Sequence, residues 1–274
     1  SKLGFGDHFN VFDDVFRSVK GWEQSGPGRL WSLIERRFSP HAVLERPGSH
    51  TVDAALKWME KGEDESFFAW VHLFDPHGPY NPPSPWDTAY YSGDPKDPSH
   101  TSMAQVEGVA EYLKPSLEGI TDADWVNSQY AGEVSSVDEQ VGRLLKWLDD
   151  SGLAENTLVI VVGDHGESLG ENGVWYNHGG DLDESAIRVP MLIRYPGRVD
   201  EGLVVDAPVG VVDIAPTVRA FFGEESDGLD GRSLLPLLAG EALDRPGIRS
   251  ICYDRTINQQ ERANGSIHRP TYLL

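Results

Sequence analysis

An α/β fold, with a mainly parallel sheet and helices on both faces, is predicted by three observations. Two short apolar runs, Phe67–Phe74 and Thr157–Val162, have the length and the aromatic or β-branched content of strands covered on both sides. Each stops abruptly at a loop punctuated by Pro or Gly, where polar side chains cluster. Segments with apolar residues at helical spacing alternate with these runs, and such alternation favours a parallel sheet between two helical layers. The two strands are therefore expected to lie parallel in one sheet, with the loops after them at the same edge.

In chain order, Thr51 is a candidate cap for a helix whose Val52, Ala55, Leu56 and Met59 follow helical periodicity, ending near Gly62. The run from Phe67 leads into Asp75-Pro76-His77-Gly78-Pro79-Tyr80. Its prolines exclude regular structure and present His77 on a stiff loop, which favours function over packing. His72 has a phase that suits either burial against a helix or the strand tip. Residues 84–124, rich in Pro, Ser, Asp and Tyr, form a long excursion, a candidate substrate-facing flap. A helix over 125–150 follows, with Val134, Val137, Val141, Leu144, Leu145 and Leu148 on one face and Gly152 as its stop.

The run Val159-Ile160-Val161-Val162 ends at Gly163-Asp164-His165-Gly166-Glu167. Ligands of open α/β sheets bind outside the carboxyl ends of the strands. Asp164 and His165 there offer one oxygen and one nitrogen to a divalent cation, and the glycines let backbone approach closely. A plain surface turn is the alternative for two adjacent residues. His178, in Trp175-Tyr176-Asn177-His178-Gly179-Gly180, occupies a Gly-flanked loop and is followed by another apolar strand. If that strand joins the same sheet, His178 reaches the crevice of Asp164 and His165. Trp175 and Tyr176 suit either a pocket wall or packing. Asp213 is a candidate cap for a further helix, with Pro216 tolerated in its first turn.

Four blocks together resemble the sulfatase family of the alkaline-phosphatase-like superfamily. They are Phe-Asp-Pro-His-Gly-Pro-Tyr at 74–80, the helix segment from Tyr130 to Leu145, Gly-Asp-His-Gly-Glu-Ser-Leu-Gly-Glu-Asn-Gly at 163–173, and His178-Gly through Asp183-Glu-Ser-Ala-Ile-Arg-Val-Pro-Met-Leu-Ile-Arg-Tyr-Pro-Gly197. Their order matches, and weaker similarity extends over 210–240. The resemblance implies an alkaline-phosphatase-like fold and sulfate-ester hydrolysis. It makes Asp164 and His165 metal ligands, and His77 and His178 catalytic groups that contact the sulfate and protonate the leaving oxygen. It implies a divalent metal, calcium first, with manganese, magnesium or zinc as alternatives, and a formylglycine nucleophile. Many sulfatases carry Lys where His178 stands. Glu167 and Glu171 read as supporting or surface carboxylates, and Arg188 as a partner of Asp183 or Glu184.

One departure is prominent. Formylglycine is made from Cys in Cys-x-Pro-x-Arg, near the N-terminus of these enzymes. The single cysteine, Cys252, lies in Ile251-Cys252-Tyr253-Asp254-Arg255, downstream of the metal loop and without that proline. It reads as an ordinary thiol, and Asp13-Asp14 as a solvated turn. The chain opens at Ser1 and stops at Tyr272-Leu273-Leu274, where a new strand is expected to begin, so a fragment truncated at both ends is expected. Residues 1–245 would form the sulfatase-like domain, lacking its N-terminal part, and 246–274 the start of a C-terminal subdomain.

Composition bounds the partners. At 274 residues and 39% hydrophobic the chain can bury a core, and its net charge of −21 argues against nucleic acid, whose phosphates need basic patches. No apolar stretch approaches the ~20 residues of a membrane span. An anionic ester has to be drawn in by local cations, a metal included. A sulfate-ester small molecule or a sulfated glycan is the expected substrate. Export is compatible with this reading, but the chain contains no signal region. A phosphoryl-transferring relative, such as a phosphonate or phosphate ester hydrolase or a phosphoethanolamine transferase, and a catalytically inactive fragment are the alternatives.

Overall fold

The computed structural model describes residues 9–13, 46–62, 65–178, 182–243, 245, 247–248, 250–252 and 271–273. Asp14, Gly179, Gly180 and the side chain of Cys252 lie outside the described residues. The chain forms two compact units, Ser1–Ser151 and Gly152–Leu274.

In the first unit, helix α1 spans Gly48–Met59, so Thr51 sits inside the helix and does not cap it. The reason is a remote cap: the Gly48 N–H donates to Asp75 Oδ2 at 2.9 Å. A carboxylate at a helix N-terminus satisfies an orphan donor and complements the dipole. α1 packs against α2, Ala123–Asp150, burying Val52 and Met59. α2 begins two residues before the expected Trp125, because Asp122 caps it by accepting the Asp124 N–H. Gly152, at φ +74°, provides the expected stop. The expected apolar stripe holds at Leu148, but Val134 is exposed. Gly132 and Glu133 take the buried positions of that turn instead; a Cβ on Gly132 would come within 2.6 Å of the Trp86 carbonyl.

The excursion 84–122 carries two short 3₁₀ turns, Ser102–Gln105 and Lys114–Leu117, and is bonded to α2. Trp86 Nε1 donates to Glu139 Oε2 at 3.0 Å, and Gln129 Nε2 to the Asp87 carbonyl at 3.0 Å. The Asp122 carboxylate accepts from the Tyr91 and Ser102 hydroxyls, at 2.8 and 2.9 Å. The Tyr91 bond above all, with Ser102 behind it, outweighs desolvation and holds Asp122 below the ordinary carboxylate range.

Among the described residues the segment 66–74 joins no ladder, so the expected strand at Phe67–Phe74 is not seen there. Phe67, Val71 and Leu73 are partly covered while Phe68, Trp70, His72 and Phe74 are exposed, but Ala69 is exposed too, so the alternation is interrupted there. An apolar run supplies strand propensity, but a strand exists only where a neighbour accepts its hydrogen bonds.

In the second unit, β1 (Val159–Val162) pairs antiparallel with β4 (Met191–Arg194), in the register Val159↔Arg194 to Val162↔Met191. Between them, β2 (Ser168–Leu169) and β3 (Trp175–Asn177) form an antiparallel hairpin, followed by the single-turn helix α3 (Glu184–Ile187). Helices α4 (Ile214–Phe221) and α5 (Leu235–Leu238) come next, and β5 (Ser250–Cys252) pairs antiparallel with β6 (Thr271–Leu273). Every ladder among the described residues is antiparallel, so the expected mainly parallel sheet is not seen there. β4 comes back beside β1 after the β2–β3 hairpin and α3, and the pairing it makes there is antiparallel.

Asp213 precedes α4, with Pro216 buried in the helix's first turn as expected, but its carboxylate does not cap the helix. Fully buried, it accepts the Gly210 and Arg232 N–H groups, each at 2.9 Å, and both Arg245 Nη atoms at 2.6 and 2.8 Å. Among the described residues no helix is long and apolar enough to cross a membrane.

Candidate active site

The loop after β1 is shaped by backbone contacts. The Gly163 N–H donates to the Pro190 carbonyl at 3.2 Å, extending the β1–β4 pairing, and the Gly166 N–H donates to the Ala186 carbonyl at 2.8 Å. A Cβ on Gly166 would collide with the Ser185 carbonyl oxygen, so only glycine lets the loop lie this close to α3. Ser168, with no exposed surface, adds a hydroxyl contact to Ser185 Oγ at 2.9 Å.

Asp164 and His165 project from this anchored loop. Asp164 Oδ1 accepts the His165 N–H at 2.9 Å, and His165 Nδ1 lies 2.8 Å from the Gly166 carbonyl. A carbonyl only accepts, so Nδ1 carries the proton and the lone pair belongs to Nε2. That Nε2 lies 3.8 Å from Asp164 Oδ2, and both side chains are open to solvent.

His178 arrives from the hairpin. Its register pairs Ser168 with Asn177 and Leu169 with Trp175, leaving Tyr176 as an extra residue. This bulge puts Tyr176 at φ +49° with its ring 1% exposed, so Tyr176 packs in the core and does not wall a pocket. Bulges bend a strand and re-aim the side chains that follow. Here the next turn of chain lays the His178 ring on that of His165, with centroids 4.1 Å and planes 21° apart. His178 Nδ1 lies 3.2 Å from Glu167 Oε2, and the Glu167 side chain is 6% exposed. The structure thus brings Asp164, His165 and His178 together, as expected, and adds Glu167 as the carboxylate facing His178. The sequence allows Glu167 a supporting role, but nothing in the local spelling names His178 as its partner, which is supplied by the far side of a hairpin.

His77 belongs to the first unit. Its loop is held by Asp75 at the α1 N-terminus and by Glu133, whose Oε1 accepts the Asn81 N–H at 2.7 Å. The excursion covers it: the Tyr112 ring stacks on His77 at 5.8 Å, and a Cβ on Gly78 would meet Leu113 at 2.7 Å. His77 Nδ1 lies 2.7 Å from the Gly78 carbonyl, so it too is the protonated nitrogen of the neutral ring.

The other candidates sort simply. Arg188 pairs with Glu184 at 3.3 Å, as expected, and Glu171 accepts the Leu169 N–H. Asp13 is exposed and pairs with Arg46 at 3.3 Å, which agrees with a solvated turn.

Among the described residues no three His, Cys, Asp or Glu side chains form a set that could hold a metal. Asp164 and His165 nonetheless fit a divalent ion as a pair. They offer a carboxylate oxygen and an imidazole Nε2, and the other imidazole nitrogen is bonded to a carbonyl, the usual arrangement behind a metal-bound histidine.

The Sulfatase family model matches residues 48–224, which contain all these residues except Asp13 and Arg46. Steryl-sulfatase of Mus musculus is 38% identical over 147 residues, covering 48% of this chain and 23% of that protein. N-acetylglucosamine-6-O-sulfatase of Bacteroides thetaiotaomicron is 33% identical over 173 residues, covering 61% of this chain and 28% of that protein. The chain thus spans about a quarter of the length of these curated relatives. Among solved structures, phosphonate monoester hydrolase SpPMH from Silicibacter pomeroyi superposes with a TM-score of 0.62 at 27% identity, over 76% of this chain and 44% of that one.

Proposed function

The chain belongs to the sulfatase family, with an alkaline-phosphatase-like fold, and from that premise we propose that the full-length protein hydrolyses sulfate esters at the Asp164–His165 loop. The observation that carries this reading is the pairing of Asp164 Oδ2 with His165 Nε2 at 3.8 Å, on a loop that Gly166 anchors to α3. We assign Asp164 and His165 as ligands of a divalent ion, calcium by resemblance. Such an ion, once bound, polarises a non-bridging sulfate oxygen and offsets its charge. Cys252 lacks the Cys-x-Pro-x-Arg context, so we place the formylglycine outside these 274 residues.

The chain's own residues supply the rest. His178, held by His165 on its face and Glu167 at its edge, acts as an acid in its imidazolium form: Nδ1–H stays with Glu167, and the Nε2 proton goes to the leaving-group oxygen, leaving the neutral Nδ1–H ring. For His77, in the first unit, a sulfate contact is proposed by family resemblance alone: with Nδ1–H committed to the Gly78 carbonyl, Nε2 donates to an anionic oxygen only when the ring is protonated. A sulfated sugar or another small sulfate ester suits this chemistry, which needs positioning and charge stabilisation above all. We also propose that the apolar 66–74 segment joins a larger, mainly parallel sheet in the full-length protein. Its exposed Phe68, Trp70 and Phe74 support this.

Phosphonate monoester hydrolysis is the second reading, favoured by the likeness to SpPMH. Metal-loaded full-length protein should be assayed on 4-nitrophenyl sulfate and on the 4-nitrophenyl monoester of phenylphosphonate. A higher kcat/KM for the sulfate is expected. Preference for the phosphonate, or full activity in Asp164→Ala, would overturn the assignment.

A further inference from the structure

We infer that Glu167 is the positioning residue for His178, fixing the rotation of its imidazole so that the nitrogen turned away from Glu167 meets the leaving group. The inference rests on the sulfatase reading for what His178 does, and on geometry alone for what Glu167 does. The Glu167 side chain is 6% exposed, whereas that of Asp164, in the same loop, is 78% exposed. Burying a carboxylate is costly unless polar partners receive it, so a buried carboxylate beside an open loop calls for a partner. Its oxygens lie 3.2 and 3.4 Å from His178 Nδ1.

Both neighbours of Glu167 are pinned. The Gly166 N–H is bonded to Ala186, and Ser168, fully buried, is bonded to Ser185. The direction of the Glu167 side chain is therefore set by the backbone on either side. His178 in turn is restrained in two independent ways. Stacking on His165 sets the plane of its ring, and the Nδ1 contact to Glu167 sets the rotation within that plane. A carboxylate only accepts, so Nδ1 carries a proton in both forms of the ring: the neutral form is the Nδ1–H tautomer, and the donating form is the imidazolium, whose second proton on Nε2 faces the leaving group. Neither restraint is sufficient alone: stacking tolerates a flipped ring, and a lone hydrogen bond tolerates a tilted one.

The test uses the full-length, metal-loaded protein with phenyl sulfate, a poor leaving group, and 4-nitrophenyl sulfate, a good one. Glu167→Ala should lower kcat/KM for phenyl sulfate by about 10- to 100-fold, the usual loss for an orienting partner. The loss for 4-nitrophenyl sulfate should be less than about tenfold, because it depends less on proton donation. Glu167→Gln, whose amide oxygen still accepts from Nδ1, should recover most of the difference. Adding Glu167→Ala to His178→Ala should cost nothing further. Equal losses on both substrates, or multiplying losses in the double variant, would overturn the inference. Nitrogen-15 NMR of the neutral histidines gives a readout without substrate. The Nδ1–H tautomer of His178 is expected in wild type and Glu167→Gln and should be lost in Glu167→Ala. An Nε2–H tautomer in wild type would overturn the role of Glu167 whatever ester the protein cleaves. Wild type that cleaves neither sulfate would sink the sulfatase reading and leave the NMR result to decide Glu167.

Discussion

The imidazole of His178 lies nearly flat on that of His165, 4.1 Å away, yet the two rings turn their nitrogens to different partners. His165 directs Nδ1 to its own loop, at the Gly166 carbonyl, and Nε2 toward Asp164. His178 directs Nδ1 to Glu167. The stack therefore joins a pair suited to a metal with a pair suited to proton delivery, while keeping the two chemically distinct.

That division predicts opposite phenotypes in the full-length protein. Asp164→Ala removes the carboxylate proposed above as an anionic ligand, and even an orienting partner of a ligand is worth 10- to 100-fold in metal affinity. A loss of more than about 100-fold is therefore expected, together with loss of turnover. His178→Ala should leave the metal bound and slow turnover most for poor leaving groups. Metal content by mass spectrometry beside turnover separates the two. Full metal occupancy and near-normal rates in Asp164→Ala would reduce the Asp-His-Gly loop to a turn.

Gly166→Ala should destabilise by about 1–3 kcal/mol, because its Cβ meets backbone at Ser185 and no side chain can swing away. Gly142→Ala is the contrasting control. It lies inside α2 with open space around its Cβ, and should stabilise by about 0.5–1 kcal/mol. Urea unfolding midpoints measure both, and a neutral Gly166→Ala would contradict the close approach of loop and helix.

The parts of the site that the sequence makes legible are those written in adjacent letters. Gly163-Asp164-His165-Gly166 ends an apolar strand, and a ligand pair and its close backbone approach can be read from that alone. Glu167 was not legible as the His178 partner, because the contact depends on the Tyr176 bulge, a register shift that no periodicity announces. Sheet direction is not written in adjacent letters either. Val159–Val162 shows that a strand exists, but pairing with Met191–Arg194 is decided by how the chain returns. Helix α1 started early because its cap, Asp75, comes from a distant loop.

The bulge itself is testable. Tyr176 combines φ +49° with nearly complete burial, so its ring must hold a backbone conformation that bulky residues seldom adopt. Tyr176→Ala removes the packing and should cost about 3–5 kcal/mol, in line with other buried aromatic truncations. Tyr176→Phe keeps the ring and should retain the hairpin. If Tyr176→Ala melted like wild type, the ring would not be what maintains the bulge.

Asp213 supplies a pH dependence with a definite sign. Burial pushes its pKa up, but the Arg245 guanidinium and the Arg232 and Gly210 N–H groups outweigh this, and the folded value lies below the ordinary 3.8. A folded pKa below the unfolded one means that this stabilisation is fully present above the unfolded value. It is lost as pH falls through the folded value. Asp213→Ala leaves Arg245 buried without its carboxylate and should cost about 3–5 kcal/mol at neutral pH. Replacing Arg245 as well should not restore stability, because the Gly210 and Arg232 N–H groups would still lack an acceptor. The gap between wild type and Asp213→Ala, from urea titrations, should hold constant from pH 7 to about 5 and narrow below about pH 4. A gap that widens in acid would mean that Asp213 is protonated in the folded chain and that its bonds to Arg245 are not ionic.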